Sequence, residues 1–152
     1  MDTTPNKPAG ITGSRALVDA LLREGIDHVF GIPGTQNLAF LDVLRDTPQI
    51  RFILTRHEQG AAFMALGFAR ARNAPAVVTA TEGPGVTNLV TAIAAANKGN
   101  VPLISICGVQ ESDMRERDAT QDLDQIPFMK PITKWAYSIP YPERIQEMVR
   151  KA

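Results

Sequence analysis

The chain has 152 residues, 44 % of them apolar, which is enough for one domain with a buried core. Its sixteen basic and sixteen acidic side chains cancel, and lysine and arginine form no cluster typical of nucleic-acid or anionic-membrane binding. The composition therefore favours small molecules and proteins as partners, with no nucleic acid and no membrane.

The N-terminal residues are polar and include Pro5 and Pro8, so we expect a flexible lead at 1–10 and one domain at 11–152. The lead has neither the basic start nor the apolar stretch of a signal peptide. No later segment reaches the ~18 apolar residues that a membrane span needs. These features predict a cytoplasmic protein.

Apolar periodicity and glycine or proline turns predict alternating helices and strands along the chain. In chain order they are a helix at 17–24, a strand at 28–30, a helix at 36–44, a strand at 51–54, a helix at 57–72, a strand at 76–80, a helix at 86–94, a strand at 103–107, a surface loop at 110–127, a last strand at 135–139 and a helix at 143–152. We expect Gly25 to end the first helix.

The strands are continuous apolar runs, as in a parallel sheet whose two faces are both covered by helices. We therefore predict an α/β fold, a doubly wound and mostly parallel sheet with helices on both faces. The helix at 57–72 is rich in glycine and alanine, and such small side chains allow another helix, a partner or a cofactor to approach closely.

Glu58, at the start of that helix, has two interpretations. With Thr55 it has the spacing of a capping box, in which the two side chains satisfy the end of the helix. Alternatively, burial raises the pKa of its carboxyl, which then shares a proton with a ligand nitrogen, although the helix N-terminus opposes that shift. The small residues that follow Glu58 favour the second interpretation, and burial decides between them.

Gly83-Pro84-Gly85 follows a strand and precedes a helix, so it is either a plain tight turn or part of a ligand site. It lacks the third glycine of the dinucleotide fingerprint, since Asn88 stands there, and the chain has no phosphate-binding loop of the Gly-Lys-Ser/Thr type. Both facts argue against nucleotide binding. Glu58 and this turn are predicted to open at the same edge of the sheet, where open α/β sheets bind ligands.

Other reactive residue types have simpler interpretations. His28 and His57 lack metal-ligand spacing to other ligands, so we predict no metal site in the chain. Cys107 lies in an apolar strand without a cysteine partner and is interpreted as a buried structural thiol. The charged run at 111–118 is interpreted as a solvated loop.

Four segments, in this order and spacing, resemble the acetolactate synthase-like family of thiamine diphosphate enzymes over about residues 12–150. They are Val29-Phe30-Gly31-Ile32-Pro33-Gly34, Arg56-His57-Glu58-Gln59-Gly60-Ala61-Ala62, Thr81-Glu82-Gly83-Pro84-Gly85-Val86-Thr87-Asn88 and Pro131-Ile132-Thr133-Lys134-Trp135. The resemblance is to the N-terminal, pyrimidine-binding domain. It implies that Glu58 is catalytic: the aligned glutamate hydrogen-bonds the aminopyrimidine ring and promotes the tautomer that deprotonates the thiazolium carbon, which then attacks a 2-oxo acid.

The resemblance also implies further site residues. Pro33 and Gly34 match a loop that lines the active site, and Pro84 and Asn88 match positions beside the pyrimidine. Gln121 matches the glutamine of a Phe-Gln-Glu segment that approaches the reacting centre, so it is a second catalytic candidate.

Three positions next to these matching residues depart from the family pattern. Thr120 and Asp122 replace the phenylalanine and glutamate that flank the glutamine, and Glu82 stands where a small residue is common. These departures leave the choice of 2-oxo acid and acceptor open.

The resemblance implies partners as well. In the family, Mg²⁺ and the diphosphate are held by a later domain with a Gly-Asp-Gly signature, which this sequence lacks, and the cofactor lies between two subunits. We therefore expect a homodimer through the small-residue helices and a separate diphosphate-binding domain or subunit, with a small 2-oxo acid as substrate. Some relatives also bind FAD. The chain is expected to stop before the last strand of the domain and to bind thiamine diphosphate poorly alone.

The leading hypothesis is the N-terminal domain of a 2-oxo acid decarboxylase or carboligase, inactive without its diphosphate-binding domain. A second hypothesis is a separately encoded α subunit of a two-subunit 2-oxo acid decarboxylase. A third is a non-catalytic interaction module, in which Glu58 acts only as a helix cap.

Overall fold

Four strands form one parallel sheet in the computed structural model, which describes residues 11–111, 114, 117 and 119–152. The strands are β1 His28–Gly31, β2 Arg51–Leu54, β3 Ala76–Ala80 and β4 Leu103–Cys107. Their order across the sheet is β2-β1-β3-β4, and every pair is parallel. Val29 of β1 pairs with Phe52 on one side and with Val77 on the other, so β1 lies inside the sheet.

Seven α-helices surround the sheet within the described residues: α1 Gly13–Arg23, α2 Leu38–Arg45, α3 Glu58–Arg72, α4 Pro84–Thr87, α5 Val90–Lys98, α6 Gln125–Met129 and α7 Ile145–Lys151. Single 3₁₀ turns lie at Thr35–Asn37, Lys130–Ile132 and Pro142–Arg144. Thr12 caps α1, its hydroxyl accepting from the Arg15 amide, and Gly25 follows the helix with φ of 75°.

Helices cover both faces of the sheet, each over a separate apolar core. On one face α3 and α5 pack against β1 and β3, with four alanines of α3 fully buried: Ala61, Ala62, Ala65 and Ala69. On the other face α1, α2 and α7 pack over Val29 and Val77. The predicted doubly wound α/β class is confirmed, because a continuous apolar strand can only be buried in this way when both faces are covered.

Two predicted features near the ends of elements are wrong. Thr55 and Glu58 form no capping box: His57 is the N-cap of α3, its ring nitrogen accepting from the Gln59 amide at 3.1 Å, while Thr55 Oγ1 donates to backbone carbonyls. The helix predicted at 86–94 is interrupted near Leu89, which separates α4 from α5.

The C-terminal part also differs from its prediction. The polar segment predicted as a loop at 110–127 gives way to α6 at Gln125, and 135–139 is not a strand. Trp135 and Tyr137 instead stack on each other, with ring centroids 5.5 Å apart, and Lys151 lies over the Trp135 ring. The predicted lead at 1–10 and much of the charged run at 111–118 lie outside the described residues.

Candidate functional site

The order of the strands creates a crevice between β1 and β3. After β1 the chain turns to α2 on one face of the sheet, and after β3 it turns to α4 and α5 on the other face. Such a switch point, at the carboxyl ends of parallel strands, is where open α/β sheets bind ligands. The two turns that enter the crevice are those predicted from the sequence, at 31–34 and at 81–85.

The two turns touch each other. Gly34 packs so closely on Thr81 that a Cβ at position 34 would overlap the threonine side chain. The Gly34 amide donates to Asn37 Oδ1 at 2.8 Å, and Asn37 Nδ2 donates to the Ile32 carbonyl at 3.1 Å, so the buried Asn37 fixes the turn. Pro33 is exposed at the rim.

Glu58 and Asn88 form an acid–amide pair beside the second turn. Glu58 is the first residue of α3 and is half-buried, and its Oε2 accepts from Asn88 Nδ2 at 3.0 Å. Its Oε1 lies 3.6 Å from the place where a Cβ on Gly85 would stand, and it accepts no hydrogen bond from the described residues. The pair thus presents one carboxylate oxygen over a backbone that carries no side chain.

This arrangement leaves a carboxylate oxygen available to a nitrogen of a bound ligand. Asn88 fixes the plane of the carboxylate, since an amide donor to one oxygen leaves the other free to meet a ring nitrogen. Gly85 places no side chain beside that oxygen, and the N-terminus of α3 favours negative charge there. Pro84 is the exposed first residue of α4, at the same rim.

Gln121 is joined to the site through its backbone. Its carbonyl oxygen lies where a Cβ on Gly83 would stand, and Gly83 has φ of 56°, so only glycine is compatible with this turn. Gln121 itself has φ of 73° and is exposed. The structure therefore brings the backbone of Gln121 to the turn that carries Pro84 and Gly85.

Glu82 is the site residue whose environment sequence reasoning missed. It is 1 % exposed, and its Oε1 accepts from Gln36 Nε2 at 2.8 Å and from Gln110 Nε2. Its Oε2 is buried and has no hydrogen-bond partner among the described residues. Burial, and secondarily the charge of Asp122, raise the pKa of the Glu82 carboxyl, while the bond from Gln110 lowers it. The only sequence signal was the departure of Glu82 from the family pattern.

The remaining reactive side chains have structural surroundings. His57 caps α3, and His28 bonds Asp27 and packs on Phe68. Burial raises the pKa of Cys107 to about 11, and its sulfur lies 3.1 Å from Ser105 Oγ. Across the described part of the chain, no three histidine, cysteine, aspartate or glutamate side chains form a group suited to a metal ion.

None of the described helices is both long and apolar enough to span a bilayer.

Fold and site together define an α/β ligand-binding domain with an acid–amide pair at its switch point. Comparison with known families gives a match to the thiamine pyrophosphate enzyme, N-terminal TPP binding domain, over residues 11–128. The chain belongs to this family, and the relatives that follow are those to which the four segments point.

Similar proteins include three acetolactate synthase subunits. The chain is 45 % identical over 141 residues to the acetolactate synthase isozyme 1 large subunit of Escherichia coli (strain K12). The aligned region covers 93 % of the chain and 25 % of that protein. The probable acetolactate synthase large subunit of Methanocaldococcus jannaschii is 44 % identical, with 92 % and 24 % covered. The acetolactate synthase large subunit of Corynebacterium glutamicum is 39 % identical, with 95 % and 23 % covered. The chain thus spans about a quarter of the length of these relatives.

Proposed function

We propose that this domain binds the aminopyrimidine part of thiamine diphosphate and activates it through Glu58, as the N-terminal part of a 2-oxo acid decarboxylase or carboligase. The observation that carries the proposal is the Glu58–Asn88 pair at the mouth of α3, with its open oxygen facing the bare backbone of Gly85. When bound, thiamine diphosphate supplies the electron sink for the negative charge that decarboxylation leaves behind.

The residues of the chain divide the work. Glu58 exchanges a proton with the ring nitrogen that it meets, and Asn88 keeps the carboxylate turned toward that nitrogen. Gly85 leaves no side chain between the backbone and Glu58 Oε1, and Gly83 lets its turn pack on the Gln121 backbone, where a side chain would overlap the carbonyl. Pro33, Gly34 and Pro84 form the rim of the crevice, and Gln121 faces the small 2-oxo acid.

The proposal includes partners. The charged end of the cofactor needs a diphosphate anchor with Mg²⁺, and we assign both to a separate domain or subunit, as the greater length of the relatives suggests. A homodimer through the outer face of α3 would bring two such sites together. That face carries Phe63 and Met64, 43 % and 48 % exposed, and two glycines, Gly60 and Gly67, with open space around them.

Calorimetry tests cofactor binding. We expect no measurable heat from thiamine diphosphate and Mg²⁺ with this chain alone, and saturable binding once the diphosphate-binding domain of an acetolactate synthase is added. Tight binding to the chain alone would place the anchor within these residues. Absence of binding in the mixture would contradict the proposal and favour an interaction module.

Glu58→Gln tests the activating role. We expect decarboxylation of pyruvate by the reconstituted mixture to fall by about 10²- to 10⁴-fold, the usual contribution of a proton-transfer group. Unfolding free energy should change by less than about 1 kcal/mol, since the side chain makes one partly exposed hydrogen bond and lies at a helix N-terminus.

The matched control is Glu24→Gln, an exposed glutamate at the end of α1. It should leave both activity and stability unchanged. Full activity in Glu58→Gln would exclude Glu58 as the activating group and leave it only a role in the helix terminus.

A further inference from the structure

Glu82 connects three loops at the carboxyl edge of the sheet. Gln36 lies in the turn after β1, Glu82 follows β3, and Gln110 follows β4. The amide groups of Gln36 and Gln110 both donate to the same oxygen of Glu82. One buried carboxyl oxygen thus holds loops from three different strands together.

The network reaches the segment that carries Gln121. Gln110 Nε2 also donates to the Thr120 carbonyl at 3.4 Å, and Thr120 directly precedes Gln121. On the other side, Thr81 Oγ1 donates to Gln36 Oε1 at 2.6 Å, which closes the chain of bonds around the β3 end. Glu82 is therefore two hydrogen bonds away from the residue before Gln121.

The burial of Glu82 is not a simple gain in stability. Its Oε2 is shielded from solvent without a hydrogen-bond partner among the described residues, and an unsatisfied buried oxygen costs free energy. An apolar side chain would avoid that cost but would remove the acceptor that Gln36 and Gln110 share. The geometry therefore points to a role for the Glu82 carboxyl in connecting the loops of Gln36 and Gln110.

We propose that Glu82 is a positioning residue, which holds the segment 119–122 against the Gly83 turn through Gln110 and so fixes Gln121 at the rim of the crevice. The inference rests on the proposed function for the role of Gln121, but the positioning itself concerns only this chain. By fixing that segment, Glu82 influences which 2-oxo acid the site accepts.

Hydrogen exchange, read by mass spectrometry on the 152-residue chain, tests the positioning. The variants are Glu82→Leu, which removes the acceptor, and Glu82→Gln, whose amide oxygen can still accept from both glutamines. We expect Glu82→Leu to speed exchange at 119–124 by about tenfold, the effect of losing one hydrogen bond, with peptides of α1 and α7 unchanged. Glu82→Gln should restore protection to within about threefold of the parent chain.

Two further variants keep the test decisive if Glu82→Leu does not fold. Gln110→Ala breaks the link on the loop side and should give the same local increase at 119–124. Gln36→Ala removes the other donor and should leave 119–124 protected. Equal exchange in all variants, or a loss of protection in Glu82→Gln as large as in Glu82→Leu, would overturn the proposal.

Kinetics of the reconstituted mixture then separate the two proposals. We expect Glu82→Leu to raise the KM for pyruvate while the affinity for thiamine diphosphate is unchanged, and Glu82→Gln to restore the KM. If Glu58→Gln is fully active, the proposed function fails, and the exchange data still decide the role of Glu82. Unchanged KM in Glu82→Leu would exclude an influence on the substrate.

Discussion

At the scale of single residues, the buried carboxyl of Glu82 couples stability to pH. Burial and the charge of Asp122 raise its pKa in the folded chain above the ordinary value of 4.5. At pH values between the pKa of Glu82 in the unfolded chain and its higher pKa in the folded chain, the folded state binds more protons than the unfolded state. The free energy of unfolding therefore falls as pH rises. The contribution is favourable at low pH and is lost as pH passes the folded-state pKa.

Glu82→Gln should remove this dependence. We expect the unfolding free energy of the parent chain, relative to the variant, to decrease as the pH rises from the ordinary pKa of 4.5 through the raised pKa of the folded state. Urea denaturation at a series of pH values measures it, and subtracting the variant cancels the groups that both chains share. A constant difference across the range would show that burial does not shift this carboxyl.

Sequence could predict that Glu58 lies at the edge of the sheet but not the surroundings of Glu82. Glu58 is the first residue of α3, which follows β2 after a short turn. Its place at the edge of the sheet therefore follows from the order of strands and helices along the chain. The burial of Glu82 depends on Gln36 and Gln110, which are far from it in sequence and reach it only in the folded chain. The capping box failed for a local reason, because the side chain of His57, next to Glu58, accepts the hydrogen bond at the helix end instead.

At the scale of elements, α3 has two faces with different chemistry. Its inner face is made of alanines packed against the sheet, and its outer face carries exposed Phe63 and Met64 with the open positions Gly60 and Gly67. The alanines of the inner face share one core with residues of α5 and of the sheet. The outer face is the surface that the proposed homodimer uses.

Gly67→Ala distinguishes the contribution of α3 to the stability of the monomer from its contribution to self-association. Position 67 lies in the helix interior with nothing within 4 Å of an added Cβ, so alanine should stabilise the monomer by about 0.5–1 kcal/mol through helix propensity. The same methyl group should weaken self-association if the outer face forms the dimer. Urea unfolding at low concentration and sedimentation velocity at high concentration measure the two effects.

Gly34→Ala is the matched comparison for that substitution. Its Cβ would overlap the Thr81 side chain, so it should destabilise the chain without affecting an association made by α3. Unchanged sedimentation in Gly67→Ala would argue against a dimer through this face.

Strand prediction succeeded for the strands of the sheet and failed for the aromatic segment at 135–139. Residues 76–80 and 103–107 form β3 and β4 with the predicted bounds, because unbroken apolar runs have few alternatives. Alternation at Trp135, Tyr137 and Ile139 resembles a strand, but a strand also needs a neighbour that accepts its hydrogen bonds. In the described residues these aromatic rings stack on each other, and Arg144 lies over Tyr137.

At the scale of the whole molecule, two apolar cores lie on opposite faces of the same sheet. Ile93 belongs to the core under α3 and α5, and Ile26 belongs to the core under α1, α2 and α7. Since the same strands line both cores, we expect them to unfold together although their side chains do not mix.

Ile26→Val and Ile93→Val test this arrangement. Each should lower the unfolding free energy by about 0.5–1.5 kcal/mol, the usual effect of removing one buried methylene. The double variant should lose the sum to within about 0.5 kcal/mol, because the two sites are on opposite faces. Trp135 fluorescence and far-ultraviolet circular dichroism should give coincident urea transitions; separate transitions would mean that the cores unfold independently.

The position of β1 inside the sheet has a consequence for synthesis on the ribosome. Of the four described strands β1 is made before the others, and its second neighbour β3 is made only after β2 and the whole of α3. Until then one edge of β1 has unpaired peptide groups, which can pair with other extended chains. At the usual rate of about 5–20 residues per second, that interval is on the order of seconds, and during it β1 is exposed to such pairing.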